Sequence, residues 1–247
     1  MSTPALALHN VHLRWPGAHA DTLQIEQLTL DAGQTLFLRG PSGCGKSSLL
    51  SLAAGVLLPQ AGTVQVLGQH WARLGAAARD QYRADHLGYL FQQFNLLPYL
   101  SVLDNVRLPL RFSKQRAARA AAATSPATGH DAAQTLLAAS GLAAGLWQRP
   151  AGQLSVGQQQ RVAAARALIG APALVLADEP TSALDDDLRQ TFMTLLLDSC
   201  AAAGSALLFV SHDLRLAGRF ERVVDLPAIN RVAAPAASRA VRTDVPT

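Results

Sequence analysis

Two stretches near the N-terminus, ALALHNVHLR and TLQIEQLTL, alternate apolar and polar residues. A period of two sends successive side chains to opposite faces, so both read as half-buried antiparallel strands. TLFLRG (Thr35 to Gly40) is a continuous apolar run, suited to a buried strand. GTVQVLG (Gly62 to Gly68) is a further strand bounded by glycines. LGYLFQ (Leu87 to Gln92) reads as a buried strand after a polar helical stretch. From Asn95 to about residue 150 the pattern turns helical, in SVLDNVRLPL and then DAAQTLLAASGL. Between them, SKQRAARAAAATSPATGHD is Ala-rich and of low complexity, read as a helix end plus a mobile loop. Beyond Leu154 the order is QQQRVAAARALI helix, ALVLA strand, DDLRQTFMTLLLDSCAAAG helix, SALLFVS strand, DLRLAGRF, and a last strand RVVDL. Strands alternating with helices imply a parallel sheet covered by helices. The expected α/β unit spans residues 1–227, with a helical subdomain inserted at about 95–155. The tail 228–247, rich in Ala, Pro and Arg, has no periodicity and is expected to be loosely ordered.

Onto this pattern falls GPSGCGKSS, from Gly40 to Ser48. Gly40, Gly45, Lys46 and Ser47 occupy the fixed positions of G-x-x-x-x-G-K-[ST], between a buried strand and a helix. Glycines let the backbone curl until several N–H groups face one anion, and the helix N-terminus adds its own donors. The stretch from Gly40 through Pro41, Ser42, Gly43, Cys44 and Gly45 to Ser48 is therefore read as a nucleotide phosphate cradle. Lys46 reaches the outer phosphates and Ser47 ligates Mg²⁺. Cys44 simply fills a small-residue position. Only Lys46 and Lys114 are lysines among 21 basic residues. A chain so biased toward arginine uses lysine where a compact, flexible cation suits phosphate.

Composition narrows the setting. At 247 residues and 49% hydrophobic, the chain can bury a large core. Cys44 and Cys200 form no metal or disulfide framework. No apolar run approaches a membrane span, and MSTPALALHN lacks a signal-peptide pattern, so a cytoplasmic protein is expected. The formal charge is only +4 and the arginines are scattered. With no nucleic-acid module in the sequence, no nucleic-acid partner is expected.

Two more motifs complete the chemistry. ALVLADEP (Ala173 to Pro180) is an apolar strand ending in two carboxylates. Asp178 at the strand end can hold Mg²⁺, and Glu179, one residue on, can reach a water at the γ-phosphate as general base. LSVGQQQR (Leu154 to Arg161) places Ser155 and Gly157 before a helix, a second N-terminus able to take an anion.

LSVGQQQR about twenty residues before ALVLADEP resembles the signature of ABC (ATP-binding cassette) ATPases, and the order of motifs agrees from Ala5 to about Leu226. The resemblance implies a P-loop cassette with a mostly parallel sheet core, an N-terminal antiparallel β subdomain and an inserted α-helical subdomain. It implies that Gln92 in LFQQFNLLP ligates Mg²⁺ and couples the site to a membrane part. It gives Asp185 in SALD to the loop crossing between two cassettes, and His212 in FVSHD to the γ-phosphate. Trp15 falls where the family stacks an aromatic ring on adenine. Two cassettes would enclose each ATP between one phosphate loop and the other's Ser155, Val156, Gly157 and Gln158, moving an integral membrane permease at the cytoplasmic face of the inner membrane. FQQFNLLPYLSVLDNVRLPL and LSVGQQQRVAAARAL look most like lipoprotein-releasing and macrolide-export cassettes. Val156 departs from the usual glycine, and the Ala-rich segment 114–131 lies where the family's insertion helps to meet the permease. One competing class is a non-transport cassette acting on a membrane partner, such as a cell-division regulator. A small-molecule kinase would leave LSVGQ and FVSHD unexplained.

Overall fold

The computed structural model describes residues 3–123, 131–182 and 184–232. Its first half contains β1 (Leu6–Leu13), β2 (Leu23–Leu30), β3 (Thr35–Arg39), α1 (Lys46–Ala53), β4 (Ala61–Val66), β5 (Gln69–His70), α2 (Ala76–His86) and β6 (Leu87–Leu90). The helical block follows as α3 (Val102–Arg107), α4 (Lys114–Ala122) and α5 (Ala132–Ala139). Then come α6 (Val156–Leu168), β7 (Leu174–Asp178), α7 (Asp186–Ala203), β8 (Ala206–Val210), β9 (Arg222–Asp225) and α8 (Leu226–Ile229).

The alternating segments form an antiparallel sheet in the order β2-β1-β4-β5. Leu6, Leu8, Val11 and Leu13 of β1 are buried against Leu23, Ile25, Leu28 and Leu30 of β2. The continuous apolar runs form a parallel sheet, ordered β6-β7-β8-β3-β9. Strands buried on both faces need no alternation, and every residue of β8 is buried. β3 and β7 lie on either side of β8, so the phosphate loop and the paired carboxylates leave the sheet at neighbouring carboxyl ends. Open α/β sheets place ligands there.

The helical block docks on this core through arginines. Arg116 of α4 is buried, and its guanidinium donates to the carbonyls of Leu87 (2.9 Å), Ala167 (2.9 Å) and Ile169 (2.8 Å from Nε). Arg119 donates to Gly170 O and Asp85 O. Ser113 caps α4 by accepting from Arg116 N at 3.0 Å. The low-complexity stretch thus begins as a helix of nine residues. The loop expected after it, at 124–130, lies outside the described residues.

The tail expected from residue 228 needs correction at its start. Leu226–Ile229 is helical, and the Asn230 side chain accepts from Gln24 N (2.8 Å) and donates to Thr22 O (3.1 Å). A polar side chain satisfying the backbone at the start of β2 orders the chain where hydrophobic periodicity gives no signal. Residues 233–247 lie outside the described residues. Among the described residues, no helix is long and apolar enough to cross a membrane.

Candidate functional site

β3 ends at Arg39 and α1 begins at Lys46, so the loop between them must reverse within six residues. Gly45 makes the last turn with φ +102°, and a Cβ there would lie 2.6 Å from Leu23 Cδ2. Only glycine fits. Cys44 is part-buried against Gly40, where an added Cβ would lie 2.6 Å from its Sγ. The loop borders a cavity of about 410 Å³, walled by Ser42, Gly43, Lys46, Ser47 and Ser48 on one side. Trp15, Gln92, Asp178 and Glu179 form the other side, with Thr22, which sequence reasoning missed for want of a motif.

Lys46 is buried, and its Nζ donates to Gly40 O (2.9 Å) and Pro41 O (3.0 Å). It also lies 3.5 Å from Glu179 Oε1. Ser47 Oγ donates to Asp178 Oδ2 at 3.3 Å. Burial pushes the Asp178 carboxyl above its ordinary range; the Ser47 hydrogen bond and the Lys46 charge oppose this, and the Glu179 charge adds to it. A desolvated carboxylate beside a hydroxyl and the Gln92 amide is an oxygen donor set, which suits a hard divalent cation.

Glu179 has φ +44°, in the left-handed region that non-glycine residues rarely adopt. Its N–H is held by Val210 O at 3.0 Å, and the next carbonyl, Pro180 O, accepts from buried Gln160 at 2.6 Å. The strand end is thus pinned from β8 and from α6. Such strain clusters at functional sites. Glu179 Oε2 lies 2.9 Å from Nδ1 of exposed His212, which follows β8. One carboxylate thus stands between the loop lysine and the histidine.

Trp15 is 47% exposed and donates from Nε1 to Ser48 Oγ at 3.3 Å. Gln92 follows β6 in a loop where Phe94 and Asn95 also have positive φ. Arg166 of α6 holds that loop by donating to Phe94 O and Asn95 O. Neither Gln160 nor Arg166 was singled out from sequence; their only signal is a large polar residue on the apolar face of a helix.

The second motif stands apart. Ser155 caps α6 in a reciprocal box: Gln158 N donates to Ser155 Oγ (3.4 Å) and Ser155 N to Gln158 Oε1 (3.0 Å). Val156 opens the helix outside the left-handed region and is half exposed. A Cβ on Gly157 would lie 3.2 Å from Leu188 Cδ1, so its small size also serves packing on α7. Ser155, Gly157 and Gln158 do not line the phosphate cavity. Asp185 caps α7, accepting from Leu188 N at 2.9 Å. Its neighbour Ala183 lies outside the described residues.

Comparisons with known proteins show the family. The family model described as ABC transporter matches residues 23–182. A lipoprotein-releasing system ATP-binding protein LolD from Anaeromyxobacter dehalogenans is 41% identical over 228 residues, covering 92% of both chains. A macrolide export ATP-binding/permease protein MacB from Chromobacterium violaceum is 37% identical over 92% of this chain. The chain spans about a third of that relative's length, and about a third of a probable syringafactin export ATP-binding/permease protein from Pseudomonas syringae. A dimeric structure of the ATP-binding cassette MJ0796, bound to ADP and Pi, superposes with a TM-score of 0.77 at 34% identity. That match covers 89% of this chain and 93% of the other.

Proposed function

We propose a function from one premise: the chain belongs to the ABC transporter family, as an ATP-binding and ATP-hydrolysing cassette. Two copies associate head to tail, and each ATP lies between one copy's phosphate loop and the other copy's Ser155, Gly157 and Gln158. The observation that carries this is the division of the motifs. The loop, Asp178 and Glu179 share one cavity, which His212 meets through Glu179, whereas the capped N-terminus of α6 neither lines it nor touches them. A second copy supplies that helix end to the γ-phosphate. The dimeric state of the MJ0796 cassette supports the same arrangement.

Within each half-site, Trp15 stacks on adenine, and the loop from Gly40 to Ser48 donates N–H groups to the phosphates. Lys46 exchanges its carbonyl partners and Glu179 for phosphate oxygen. Ser47, Asp178 and Gln92 would hold Mg²⁺, which when bound neutralises phosphate charge. Glu179, released from Lys46, takes a proton from the attacking water. His212 keeps Glu179 oriented and meets the γ-phosphate, and Asp185 lies at the crossing between cassettes. Loss of the γ-phosphate removes the charge bridging the two helix ends, and the dimer opens.

The motion drives an integral membrane permease of the lipoprotein-releasing or export kind, from its cytoplasmic face. Support comes from the names of the LolD and MacB relatives, which favour transport over a cell-division role. The permease seats in a groove of about 400 Å³ walled by Tyr89, Phe91, Asn95, Pro109 and Phe112.

The test separates contacts within one copy from contacts across two. Glu179→Gln, which keeps the phosphate contacts but removes the base, should bind ATP, hydrolyse it at least roughly a hundredfold more slowly and accumulate as a dimer on size exclusion. Adding Gly157→Asp should leave ATP bound to a monomer, because the new carboxylate meets the other copy's phosphate. A dimer that survives the second substitution would count against the shared site.

A further inference from the structure

The turn that presents Trp15 is held by several groups that do not line the phosphate cavity, Gln60 and Asp21 among them. At Asn10, where φ is +50°, β1 changes which residues it buries, from Leu6 and Leu8 to Val11 and Leu13. Its register with β4 slips at the same point, from His9 opposite Thr63 to His12 opposite Ala61. A bulge of this kind re-aims the rest of the strand, here toward Trp15. Gly62 makes room for it, since a Cβ there would lie 2.1 Å from Asn10 O.

Just past the bulge, Gln60 reaches the residue before Trp15. Its Oε1 accepts from Arg14 N at 2.8 Å, and its Nε2 donates to Arg14 O at 2.9 Å. Gln60 N donates to His12 O at 2.9 Å. On the other limb, Asp21 accepts from Arg14 Nε (2.9 Å) and His12 Nδ1 (3.1 Å). Thr22 N donates to Leu13 O at 2.7 Å and closes the turn. Behind the indole is a second cavity of about 590 Å³, bordered by His12, Arg14 and Gln60. Trp15 borders both this space and the phosphate cavity, and its side chain is half exposed. The Nε1–Ser48 Oγ hydrogen bond holds one edge of the ring, and the backbone that carries Trp15 must set the rest of its position.

We infer that Gln60 is a positioning residue for base recognition: its carboxamide locks the Arg14–Trp15 backbone so that the indole is already placed for the adenine of ATP. The inference rests on the reading of Trp15 as the adenine platform. One flat carboxamide supplies both the acceptor and the donor that Arg14's peptide groups require, which neither Ala nor Glu can do. Fixing the ring before binding spares the ordering that would otherwise be charged to affinity.

The experiment compares the full chain with Gln60→Glu, Gln60→Ala and Trp15→Ala. Affinity is measured for Mg-ATP and for inorganic tripolyphosphate, which has no base. Trp71 and Trp147 are buried, so acrylamide quenching of tryptophan fluorescence reports on Trp15. Both Gln60 variants should weaken ATP roughly fivefold, leave tripolyphosphate binding unchanged and raise the Trp15 quenching rate. The KM for ATP should rise while kcat stays within about twofold. Trp15→Ala should lose ATP affinity by a similar or larger factor, again sparing tripolyphosphate. Equal weakening of ATP and tripolyphosphate in the Gln60 variants would overturn the inference, as would unchanged ATP affinity alongside a loss in Trp15→Ala. Unchanged ATP affinity in Trp15→Ala itself would sink the platform reading, and the role of Gln60 with it.

Discussion

At the scale of single residues, the site holds groups in states that folding alone would not select. Asp178 is part-buried, and its carboxyl is pushed above the ordinary range chiefly by desolvation. The sign is definite. As pH rises from the unfolded-state value, the unfolded chain ionises first and folding loses free energy, until the folded carboxyl has ionised too. At neutral pH the charge is therefore a net expense to the nucleotide-free protein. Asp178→Asn should therefore raise its Tm at pH 8. ATP hydrolysis should fall at least roughly a hundredfold, since an amide is a poor substitute ligand. Differential scanning fluorimetry at pH 8 and at pH 5 checks the first expectation. The Tm gain should shrink at pH 5, where Asp178 is more protonated. A variant less stable at both pH values would mean that Asp178 braces the fold through Ser47 rather than straining it. Glu179 belongs to the same class, with its backbone at φ +44° held by Val210 O and by the grip of Gln160 on the next carbonyl.

At the scale of elements, α6 carries the second motif at its start, and the departure from glycine at Val156 becomes intelligible there. Val156 is the first helical residue after the Ser155 cap and has no need of positive φ. A β-branched residue is tolerable at that position, where no preceding turn crowds it. The polar contacts fall to Ser155 and the helix N–H groups. Val156→Gly should therefore change steady-state hydrolysis by less than about tenfold, a barrier difference under roughly 1.4 kcal/mol. It should also lower the Tm slightly, because glycine has a lower helix propensity than valine, a difference under about 1 kcal/mol. An inactive wild type rescued by Val156→Gly would make the cassette a binding module. The same helix marks what the sequence could and could not reveal. Its cap and its place before ALVLADEP were readable, because a box closed at three residues' distance is local. So were the phosphate loop and the strands of both sheets, as period-two or unbroken apolar runs, except β5, whose two polar residues carry no such pattern. Arg116, Arg166 and Gln160 were not, since their partners lie between 20 and 72 residues away. Nor was Asn230, whose acceptor and donor roles are satisfied by Gln24 of β2 and by Thr22 just before it, more than two hundred residues back. Such contacts leave no periodicity, and the polar side chain that makes them looks like a surface residue until the fold is known.

At the scale of the whole molecule, those long-range arginines join the proposed docking groove to both halves of the site. Arg116 and Arg166 both lie on the wall of the groove that Tyr89, Phe91 and Phe112 present. Arg166 grips the loop after Gln92, and Arg116 ties α4 to the start of β6 and the end of α6. β6 leads into Gln92, and α6 begins at Ser155. Pressure in the groove therefore has a hydrogen-bonded route toward the proposed cation ligand Gln92 and toward the helix end proposed to meet a second copy. Arg116 suits this post because one planar guanidinium spans three carbonyls, which a lysine ammonium on a flexible stem does less well. Burial draws its pKa down to about 10, which still leaves it charged at neutral pH. Arg116→Met should leave three buried carbonyls without their donor and lower stability by roughly 3 kcal/mol, or about 6–12 °C in Tm. In membranes carrying a cognate permease, the ratio of permease-stimulated to basal ATPase should fall by more than the basal rate does. Arg116→Lys should recover part of the Tm but little of that ratio, because charge returns without the three-way geometry. The measurements are a thermal melt and paired ATPase assays on the three proteins. A fall in basal and stimulated rates by one common factor would confine Arg116 to stability and leave the groove without its proposed link to the site.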